Sequence, residues 1–362
     1  MKKTLCIHQS AELYGSDRSF YSAIQGLKNK FNIDVILPFQ GELSNRIEKD
    51  NIDIAYFNKG ILRKKDILNP IFFIWNVMEG VKYYVKAYKS YDVIYINTIV
   101  MLSAIIAAFF YRNKKIYCHV REIPGRKVIF FFKLLFRLTG ISLIYNSEAT
   151  RVAFGLPGSV VYNGVSAITT NIKKNESGNN TNILLIGRIN TWKGQSFFID
   201  ALLLYAEKFK NIPFNVKIVG SAFAGYEYLE QELRNKILKN GIDKHIELIS
   251  FTDNPTDFYQ WADYVIVPSI KPEPFGRVAV EAFSAGKPVI AAKHGGLVEI
   301  VDDGFNGYLF EPNSAESLVM ALDLINKINF SDYELMCQNA VITFEKKFSL
   351  KKYQESICNI LS

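Results

Sequence analysis

Residues 264–290 read Tyr-Val-Ile-Val-Pro-Ser-Ile-Lys-Pro-Glu-Pro-Phe-Gly-Arg-Val-Ala-Val-Glu-Ala-Phe-Ser-Ala-Gly-Lys-Pro-Val-Ile. The apolar run Tyr264–Pro268 predicts a strand, and Phe275-Gly276 opens a helix after a proline-rich turn. The run Val289–Ala292 predicts a second strand. Short β-rich runs separated by a helix are typical of parallel strands that are joined by a crossover.

The same alternation continues along the chain on both sides of this stretch. A length of 362 residues agrees with about two domains. Two series of six runs predict an α/β protein with two doubly wound domains. Residues 167–182 are poor in apolar side chains, so we place a linker there, between domains 1–166 and 183–345. The predicted strands are Thr4–Ser10, Ile33–Pro38, Ile52–Phe57, Asp92–Asn97, Lys115–Val120, Ser142–Asn146, Ile183–Gly187, Asn215–Gly220, Ile246–Phe251, Tyr264–Pro268, Val289–Ala292 and Tyr308–Phe310.

The composition excludes several classes of protein. Apolar residues make up 49% of the chain, which is too many for a disordered protein. Four scattered cysteines, with no Cys-x-x-Cys pair, form neither a disulfide framework nor a zinc finger. The first apolar run is too short for a secretory signal. The longest apolar stretch, Ile99–Tyr111, is too short to span a bilayer and predicts a buried helix. We therefore expect a cytoplasmic protein without a transmembrane segment.

Charge is divided unevenly between the two halves. Residues 1–170 carry 23 Lys/Arg and 12 Asp/Glu, a net charge of +11, whereas residues 171–362 carry 20 and 23, a net charge of −3. Such a basic half predicts an anionic partner, and nucleic acid and an anionic membrane surface are the two candidates. Because no nucleic-acid-binding motif is visible, we expect a membrane surface and no nucleic acid.

The cations concentrate beside aromatic residues in two segments, one before the aromatic run 71–75 and one within 126–138. Residues 126–138 interleave cations with Phe and Leu, which fits a helix that lies at a membrane interface. A core helix with a few solvated cations explains the same pattern equally well. The cations concerned are Arg63, Lys64, Lys65, Arg126, Lys127, Lys133 and Arg137.

Polar residues follow the strands of the second half, where α/β domains place their ligands and where paired domains leave a cleft. Arg188 and Lys193 open a helix after the first of these strands, and two cations there suit a diphosphate. Two solvated surface cations are the alternative. Glu273 lies in the proline-rich turn and Glu281 in the following helix, so both can reach one ligand at different depths. An acidic cap and an exposed glutamate are the plainer interpretation, but they do not explain the Pro-Glu-Pro-Phe-Gly context.

The first half offers two weaker candidates. His119 lies at the end of a predicted strand, where a histidine is often only a polar residue that ends the strand. The loop 12–19 contains a single glycine, Gly15, which lets a backbone approach a ligand, but the loop lacks the G-x-G-x-x-G fingerprint of dinucleotide binding. A helix N-cap by Ser16 or Asp17 explains the same loop.

Together these residues resemble the family 4 glycosyltransferases of the GT-B fold. The resemblance is strong from about 182 to 312 and looser over the rest of the chain. The segments that carry it are Gly187-Arg188 with Lys193-Gly194, Glu273-x7-Glu281, Gly286-Lys-Pro-Val-Ile, Gly295-Gly296-x-x-Glu299 and Tyr162-Asn163-Gly164-Val165.

The resemblance implies two Rossmann-like domains that face each other across a cleft, and a retaining transfer from a nucleotide-sugar without a metal ion. The chain has no Asp-x-Asp triplet, and we expect neither a metal nor a cofactor. The resemblance also implies that Arg188 and Lys193 bind the donor diphosphate and that Glu281 binds the ribose hydroxyls. Glu273 and the Phe275-Gly276 amides would hold the donor sugar. The residues assigned to donor binding are Gly15, Ser16, Gly187, Arg188, Lys193, Glu273, Pro274, Phe275, Gly276 and Glu281.

In the first domain, the resemblance places Gly15 and Ser16 near the diphosphate and His119 near the reacting sugar. It further implies that the last helix, near 346–362, packs back on the first domain. The residues assigned to catalysis are His119, Arg188, Lys193 and Glu273.

The basic first half suits a glycan or lipid-linked glycan acceptor at an anionic inner leaflet, and hence peripheral association with the inner face of the cell membrane. We expect a hexose or N-acetylhexosamine donor, with UDP favoured over GDP, and a role in bacterial surface polysaccharide biosynthesis, in lipopolysaccharide or capsule. A GT-B-type nucleotide-sugar 2-epimerase and a non-catalytic sugar-nucleotide-binding protein are the alternatives. A dinucleotide oxidoreductase would need the glycine fingerprint that is missing.

Overall fold

The computed structural model describes residues 1–63, 66–169 and 180–362. The chain divides into two compact units, Met1–Gly164 with Leu350–Ser362, and Val165–Ser349. Lys64, Lys65 and residues 170–179 of the predicted linker lie outside the described residues.

The first unit is built on a seven-stranded parallel sheet with the order β3-β2-β1-β4-β5-β6-β7. All six predicted runs form strands. The sequence did not predict β7, because two residues are too short a run to show a pattern. The strands are β1 (Lys2–Ile7), β2 (Phe31–Leu37), β3 (Asp53–Tyr56), β4 (Val93–Asn97), β5 (Lys115–Val120), β6 (Ser142–Tyr145) and β7 (Ser159–Val160).

The second unit contains a six-stranded parallel sheet with the order β10-β9-β8-β11-β12-β13. All six predicted runs again form strands, so the prediction of two doubly wound sheets is confirmed. The strands are β8 (Thr181–Ile186), β9 (Phe214–Val219), β10 (Ile246–Ile249), β11 (Tyr264–Val267), β12 (Val289–Ala292) and β13 (Gly307–Phe310).

Helices connect the strands of both sheets. Short 3₁₀ turns at Asp66–Leu68 and Ala108–Tyr111 flank two of them. The helices are α1 (Gly15–Leu27), α2 (Glu42–Glu48), α3 (Pro70–Tyr88), α4 (Leu102–Ala107), α5 (Arg126–Thr139), α6 (Glu148–Phe154), α7 (Gln195–Phe209), α8 (Tyr228–Lys239), α9 (Thr256–Trp261), α10 (Arg277–Ser284), α11 (Leu297–Ile300), α12 (Ala315–Lys327), α13 (Phe330–Thr343) and α14 (Leu350–Leu361).

The first sheet has a separate apolar core on each face. Leu5 and Ile7 of β1 pack with α3, α4 and α5, whereas Cys6 packs with α1, α2 and α14 on the opposite face. This division follows from the alternation of side chains along a strand. The helices α3 to α5 and the helices α1, α2 and α14 therefore form two distinct layers.

The last helix differs from the prediction, because it begins at Leu350 rather than near 346. Residues Phe344–Phe348 continue α13 as a π-helical turn, and Ser349 has extended backbone that ends it. Phe348 is buried edge-on against Phe275, with ring centroids 5.9 Å apart, and this contact holds the segment in the second unit. α14 packs on α1, where the Tyr353 hydroxyl donates to the Ser19 carbonyl at 3.0 Å.

The predicted buried helix over Ile99–Tyr111 is only partly correct. α4 is buried, but the chain then tightens into the 3₁₀ turn, where Phe109 and Phe110 are exposed. Across residues 1–63, 66–169 and 180–362, no helix combines the length and the apolar composition that crossing a bilayer requires.

Candidate functional site

The second sheet reverses its winding direction between β8 and β11. The chain runs from β8 outward to β9 and β10, and then returns to β11 on the other side of β8. The carboxyl ends of two strands that flank such a point leave a crevice for a ligand. The loops that follow β8 and β11 therefore define the candidate site of this unit.

The loop after β8 is shaped by Asn190 and Gly194. The Asn190 side-chain oxygen accepts from the backbone N–H groups of Trp192 and Lys193, at 3.0 and 2.9 Å. Gly194 has φ +82°, and a Cβ there would clash with the Pro268 carbonyl, so the close approach requires glycine. The loop after β8 is thereby held against the loop after β11.

Lys193 and Glu273 meet across this point. The Lys193 Nζ lies 2.7 Å from Glu273 Oε1, and the Ser269 hydroxyl donates to the same oxygen at 2.5 Å. The Lys193 side chain keeps 21% of its surface exposed, whereas the Glu273 side chain keeps 7%. The structure thus brings together two of the predicted residues and leaves the Lys193 side chain partly exposed to solvent.

Arg188 has different neighbours. Its guanidinium lies 3.3 Å from the centroid of the Phe223 ring, and its carbonyl accepts from the Gln195 side chain at 3.0 Å. The two cations that the sequence assigned to one diphosphate therefore have different contacts: Lys193 pairs with the Glu273 carboxylate, and Arg188 lies over the Phe223 ring. Gly187, between β8 and Arg188, has φ +147°, which favours glycine.

Two adjacent glycines enclose the backbone of Glu273. The Gly296 N–H donates to the Glu273 carbonyl at 2.8 Å, and a Cβ on Gly295 would clash with that carbonyl. His294 Nε2 donates to the Ser269 carbonyl at 2.7 Å. Ser269 and His294 were not predicted from the sequence, although both follow strands of the sheet, as Arg188 and Glu273 do.

Glu281 lies one turn into α10 and contacts residues other than Lys193 and Glu273. Its carboxylate accepts from Arg277 Nε at 2.8 Å and from the Tyr259 hydroxyl at 3.1 Å. Burial, with the nearby Glu281 charge, holds the pKa of Tyr259 well above its usual value, so the hydroxyl stays a donor. Arg277 Nη1 is buried without a hydrogen-bond partner among the residues that the structure describes. Tyr259 and Arg277 were not predicted.

The start of α10 is as predicted. Gly276 has φ +111°, and a Cβ there would lie 2.7 Å from a methyl carbon of Leu297. Phe275 is buried and Pro274 is half-buried. The Pro-Phe-Gly segment therefore fixes the turn that carries Glu273.

The first sheet has a corresponding reversal between β1 and β4, and a buried polar cluster occupies it. Asn97, at the end of β4, donates to His8 Nδ1 at 2.8 Å, and His8 Nε2 donates to Asp17 Oδ1 at 2.7 Å. Burial lowers the pKa of His8, although the Asp17 carboxylate acts in the opposite direction. Burial opposes ionisation of Asp17, but hydrogen bonds led by His8 lower its pKa. The pair is a neutral imidazole and a carboxylate.

Arg121 is the centre of this cluster. Its Nε donates to the Asn97 side chain at 2.6 Å, its Nη1 to the Asn163 side chain at 2.5 Å, and its Nη2 to the Tyr353 hydroxyl at 2.9 Å. Asn163 belongs to the predicted Asn-Gly-Val segment, and Tyr353 belongs to α14. The guanidinium therefore links the strand ends to the last helix.

His119 is held in one tautomer. Its Nδ1 accepts from the Tyr95 hydroxyl at 2.8 Å and from Arg121 Nη2 at 3.2 Å. The ring proton must therefore sit on Nε2, which is buried without a partner among the described residues. Burial, with the Arg121 charge adding to it, holds the pKa of His119 well below its usual value. His119 Nε2 is a neutral, unused hydrogen-bond donor.

The structure of the loop before α1 shows that the interpretation of Ser16 or Asp17 as the helix N-cap is wrong. α1 begins at Gly15, so neither Ser16 nor Asp17 is the N-cap. Asp17 accepts from the Tyr14 N–H at 3.0 Å and from the Ser16 hydroxyl at 3.1 Å. Gly15 is exposed and Ser16 is half-buried. Asp17 therefore shapes the loop in which Gly15 and Ser16 were predicted to meet a ligand.

Two doubly wound parallel sheets, each with polar side chains at the point of reversal, define the chain as an α/β protein of the GT-B fold. Residues 167–340 match the family described as Glycosyl transferases group 1. The chain thus carries a domain of that family, and its resemblance to the family 4 glycosyltransferases of the GT-B fold is confirmed.

Individual glycosyltransferases and one solved structure are also similar to this chain. The chain is 38% identical over 197 residues to an uncharacterised glycosyltransferase of Methanocaldococcus jannaschii, covering 53% of this chain and 50% of the relative. It is 36% identical over 146 residues to the lipopolysaccharide 1,2-N-acetylglucosaminetransferase of Salmonella typhimurium, covering 38% of this chain and 37% of the relative. The chain thus spans half or less of the length of these curated relatives. The crystal structure of Anabaena HepE with UDP and glucose aligns over 100% of this chain and 99% of that one, with TM-score 0.79 and 25% identity.

Proposed function

We propose that the protein is a retaining glycosyltransferase. It would move a hexose or N-acetylhexosamine from a nucleotide-sugar, with UDP as the favoured nucleotide, to a hydroxyl of a glycan or lipid-linked glycan. The observation that carries the proposal is the Lys193–Glu273 pair at the reversal of the second sheet, within the segment that matches the family. The similar Anabaena protein was crystallised with UDP and glucose, which supports a UDP-sugar donor.

The second unit supplies the groups that a donor needs. The Lys193 side chain is half-buried and its ammonium contacts Glu273, where it can balance charge on a departing diphosphate. Arg188 lies on the same loop, and the two cations would do this without a metal ion. Glu281 would accept hydrogen bonds from the ribose hydroxyls. In binding the donor, Lys193 exchanges part of its contact with Glu273 for the diphosphate, and Glu273 is left to receive the sugar hydroxyls.

The transfer would proceed on one face of the sugar. The bond between the anomeric carbon and the phosphate oxygen breaks, and the bond to the acceptor oxygen forms on the same side. The acceptor proton passes to the departing phosphate oxygen. His119 Nε2–H would donate a hydrogen bond to a ligand oxygen, and because burial lowers the pKa of the ring, it would do so as the neutral imidazole.

The role in bacterial surface polysaccharide biosynthesis is supported by one relative, the lipopolysaccharide N-acetylglucosaminetransferase of Salmonella typhimurium. A lipid-linked acceptor would bring the protein to the inner face of the cell membrane. The net charge of +11 in residues 1–170 favours such a peripheral association.

The first test is thermal unfolding with a panel of nucleoside diphosphates and nucleotide-sugars in EDTA. A ligand at a hundred times its dissociation constant should stabilise the protein by about 2.7 kcal/mol. Stabilisation by the UDP series alone would support a metal-free UDP-sugar donor, and no stabilisation by any of them would contradict the donor site.

The second test is turnover with the nucleotide-sugar so identified. Transfer to a glycan with the same anomeric configuration, followed by NMR, is expected. Inversion of the anomeric centre would contradict retention. Release of free nucleotide and a C2-epimerised sugar without an acceptor would favour the epimerase, and binding without turnover would favour the non-catalytic binder.

A further inference from the structure

The two layers of the first unit present different surfaces. On α1, α2 and α14, all of which are fully described, no large apolar side chain is exposed. The opposite layer consists of α3, α4, the turn Ala108–Tyr111 and α5, and we call it the aromatic layer. α4 and the turn each contact both α3 and α5. Its exposed apolar side chains are Ile71, Phe72, Ile74, Trp75, Met78, Phe109, Phe110, Val128, Phe130, Phe131, Leu134 and Leu138.

α5 is apolar on both sides. Phe132 and Phe136 point into the core, whereas Phe130 is 72% exposed and Phe131 and Leu134 are half-exposed on the outer side. Positions three and four apart share one face of a helix, so these outer residues form a stripe along α5. The core-helix and interfacial-helix interpretations of residues 126–138 therefore describe its two sides. Packing of α5 on the sheet explains why Phe132 and Phe136 are apolar, but it does not explain the exposed apolar residues on the outer side.

The charges of the aromatic layer are predominantly positive. α3 and α5 carry six Lys or Arg residues and a single carboxylate, Glu79, which pairs with Lys82 at 3.0 Å. α1, α2 and α14 carry four basic and four acidic residues. The aromatic layer is therefore both apolar and cationic, and the layer on the opposite face of the sheet is neither.

Cations also lie directly on its aromatic rings. Lys59 Nζ is 4.2 Å from the centroid of the Trp75 ring, and the Arg112 guanidinium is 5.1 Å from that of Phe109. Arg112 also donates to the Leu138 carbonyl at the end of α5. Aromatic rings with cations beside them match the boundary between acyl chains and anionic headgroups.

We propose that the aromatic layer docks on an anionic lipid bilayer. α5 lies in the plane of the membrane, with Phe130, Phe131 and Leu134 among the acyl chains and its cations at the lipid phosphates. A second copy of the chain fits poorly, because two such layers would place cations against cations. The proposal rests on the peripheral membrane association given in the proposed function and deepens it by naming the surface that docks, and docking itself requires neither donor nor acceptor.

The test is sedimentation with vesicles of phosphatidylcholine alone and of phosphatidylcholine with 30 mol% phosphatidylglycerol, without any nucleotide-sugar. We expect strong binding to the anionic vesicles, weak binding to the neutral ones, and weakening by salt. Phe130→Ser/Phe131→Ser should lower the partition coefficient at least tenfold, because burial of each ring is lost. Met320→Ser/Leu324→Ser, at exposed apolar positions of α12, is the matched control and should bind like wild type.

A second pair of variants tests how much the cations of α5 contribute to vesicle binding. Lys127→Glu/Arg137→Glu on α5 should weaken binding to anionic vesicles by about fivefold per cation removed. Lys351→Glu/Lys352→Glu on α14 makes the same charge change on the opposite layer and should have a much smaller effect. The thermal midpoint of each variant, measured without lipid, shows whether it is folded.

Three results would overturn the proposal. The first is no binding of the folded wild type to either vesicle. The second is equal binding by the α5 variants and their controls. The third is a concentration-dependent dimer, seen by sedimentation velocity without lipid, that Phe130→Ser/Phe131→Ser dissociates, because the layer would then contact a second copy. None of these results bears on donor binding, which the thermal panel tests separately.

Discussion

The two units place polar side chains at the same point of the same kind of sheet, yet the two clusters are built differently. In the second unit, Lys193 and Glu273 form a charged pair, and the lysine side chain of that pair is partly exposed to solvent. In the first unit, a buried guanidinium, Arg121, is surrounded by the neutral acceptors of Asn97, Asn163 and Tyr353. A ligand can displace the partner of an accessible ion, but a fully hydrogen-bonded buried ion holds the elements around it. The same topological position can therefore serve binding in one unit and architecture in the other.

The sharpest test of this contrast is Lys193→Ala. Loss of a cation that stabilises the departing phosphate should lower kcat by about 10²- to 10³-fold. The substitution also leaves the Glu273 carboxylate buried without its ammonium, which costs stability. Steady-state kinetics and thermal unfolding separate the two effects.

Lys193→Ala/Glu273→Gln is the matched control for that loss of stability. Because no unpaired carboxylate remains, the double variant should recover most of the free energy of unfolding and none of the rate. If the double variant recovers the rate, Lys193 is a structural cation and the two clusters are alike.

The converse test is Arg121→Met, which should cost stability rather than rate alone. It removes the donor that serves the buried acceptors of Asn97, Asn163, Tyr353 and His119, and we expect the free energy of unfolding to fall by about 3 kcal/mol or more. Arg46→Met, which breaks the exposed pair of Arg46 with Glu42, should cost less than about 0.5 kcal/mol. Urea unfolding of both variants gives the comparison, and equal small losses would refute the architectural role of Arg121.

The sequence predicted the second cluster better than the first, for a physical reason. Glu273 and Lys193 stand in short segments of unusual composition, Pro-Glu-Pro-Phe-Gly and Trp-Lys-Gly, that local chemistry already marks. Arg121 depends on Tyr353, which is 232 residues away, and no local pattern indicates that contact. The available signal was position alone, because His8 and Asn97 end neighbouring strands as His119 does.

The fold was predictable because it rests on local patterns. Every predicted run became a strand, since Val/Ile-rich segments between helices have few other solutions. The start of α14 was not predictable in the same way. Phe348 fits the second unit by its contact with Phe275, and the alternation of residues around 346–349 does not show which unit buries it.

Glu281→Gln tests the proposed role of Glu281 in binding the ribose hydroxyls of the donor. Hydrogen bonds to a charged group contribute about 1.5–3 kcal/mol, so donor affinity should fall by about 10- to 100-fold. Tyr259→Phe removes one of the bonds that position Glu281 and should weaken donor binding by less. Isothermal titration with the nucleoside diphosphate measures both, and an unchanged affinity in Glu281→Gln would remove the ribose role.

The smallest expected effect is the dependence of stability on pH, and it belongs to the first unit. The pKa values of His8 and His119 are lowered in the folded protein, so the unfolded chain binds more protons below about pH 6.5. Stability should therefore be unaffected by these groups well above pH 6.5 and should be lost as the pH falls below it. Each histidine should contribute a loss of less than about 1 kcal/mol between pH 7 and pH 6.

A variant at His8 divides this loss between the two histidines of the first cluster. His8→Gln should remove the part that His8 contributes and leave the part that His119 contributes. Chemical unfolding at pH 7.0, 6.5 and 6.0 measures the wild type and the variant. A wild-type stability that stays constant over this range would mean that both rings take up protons in the folded state. The Arg121 cluster would then not be the closed network that distinguishes it from the partly exposed pair in the second unit.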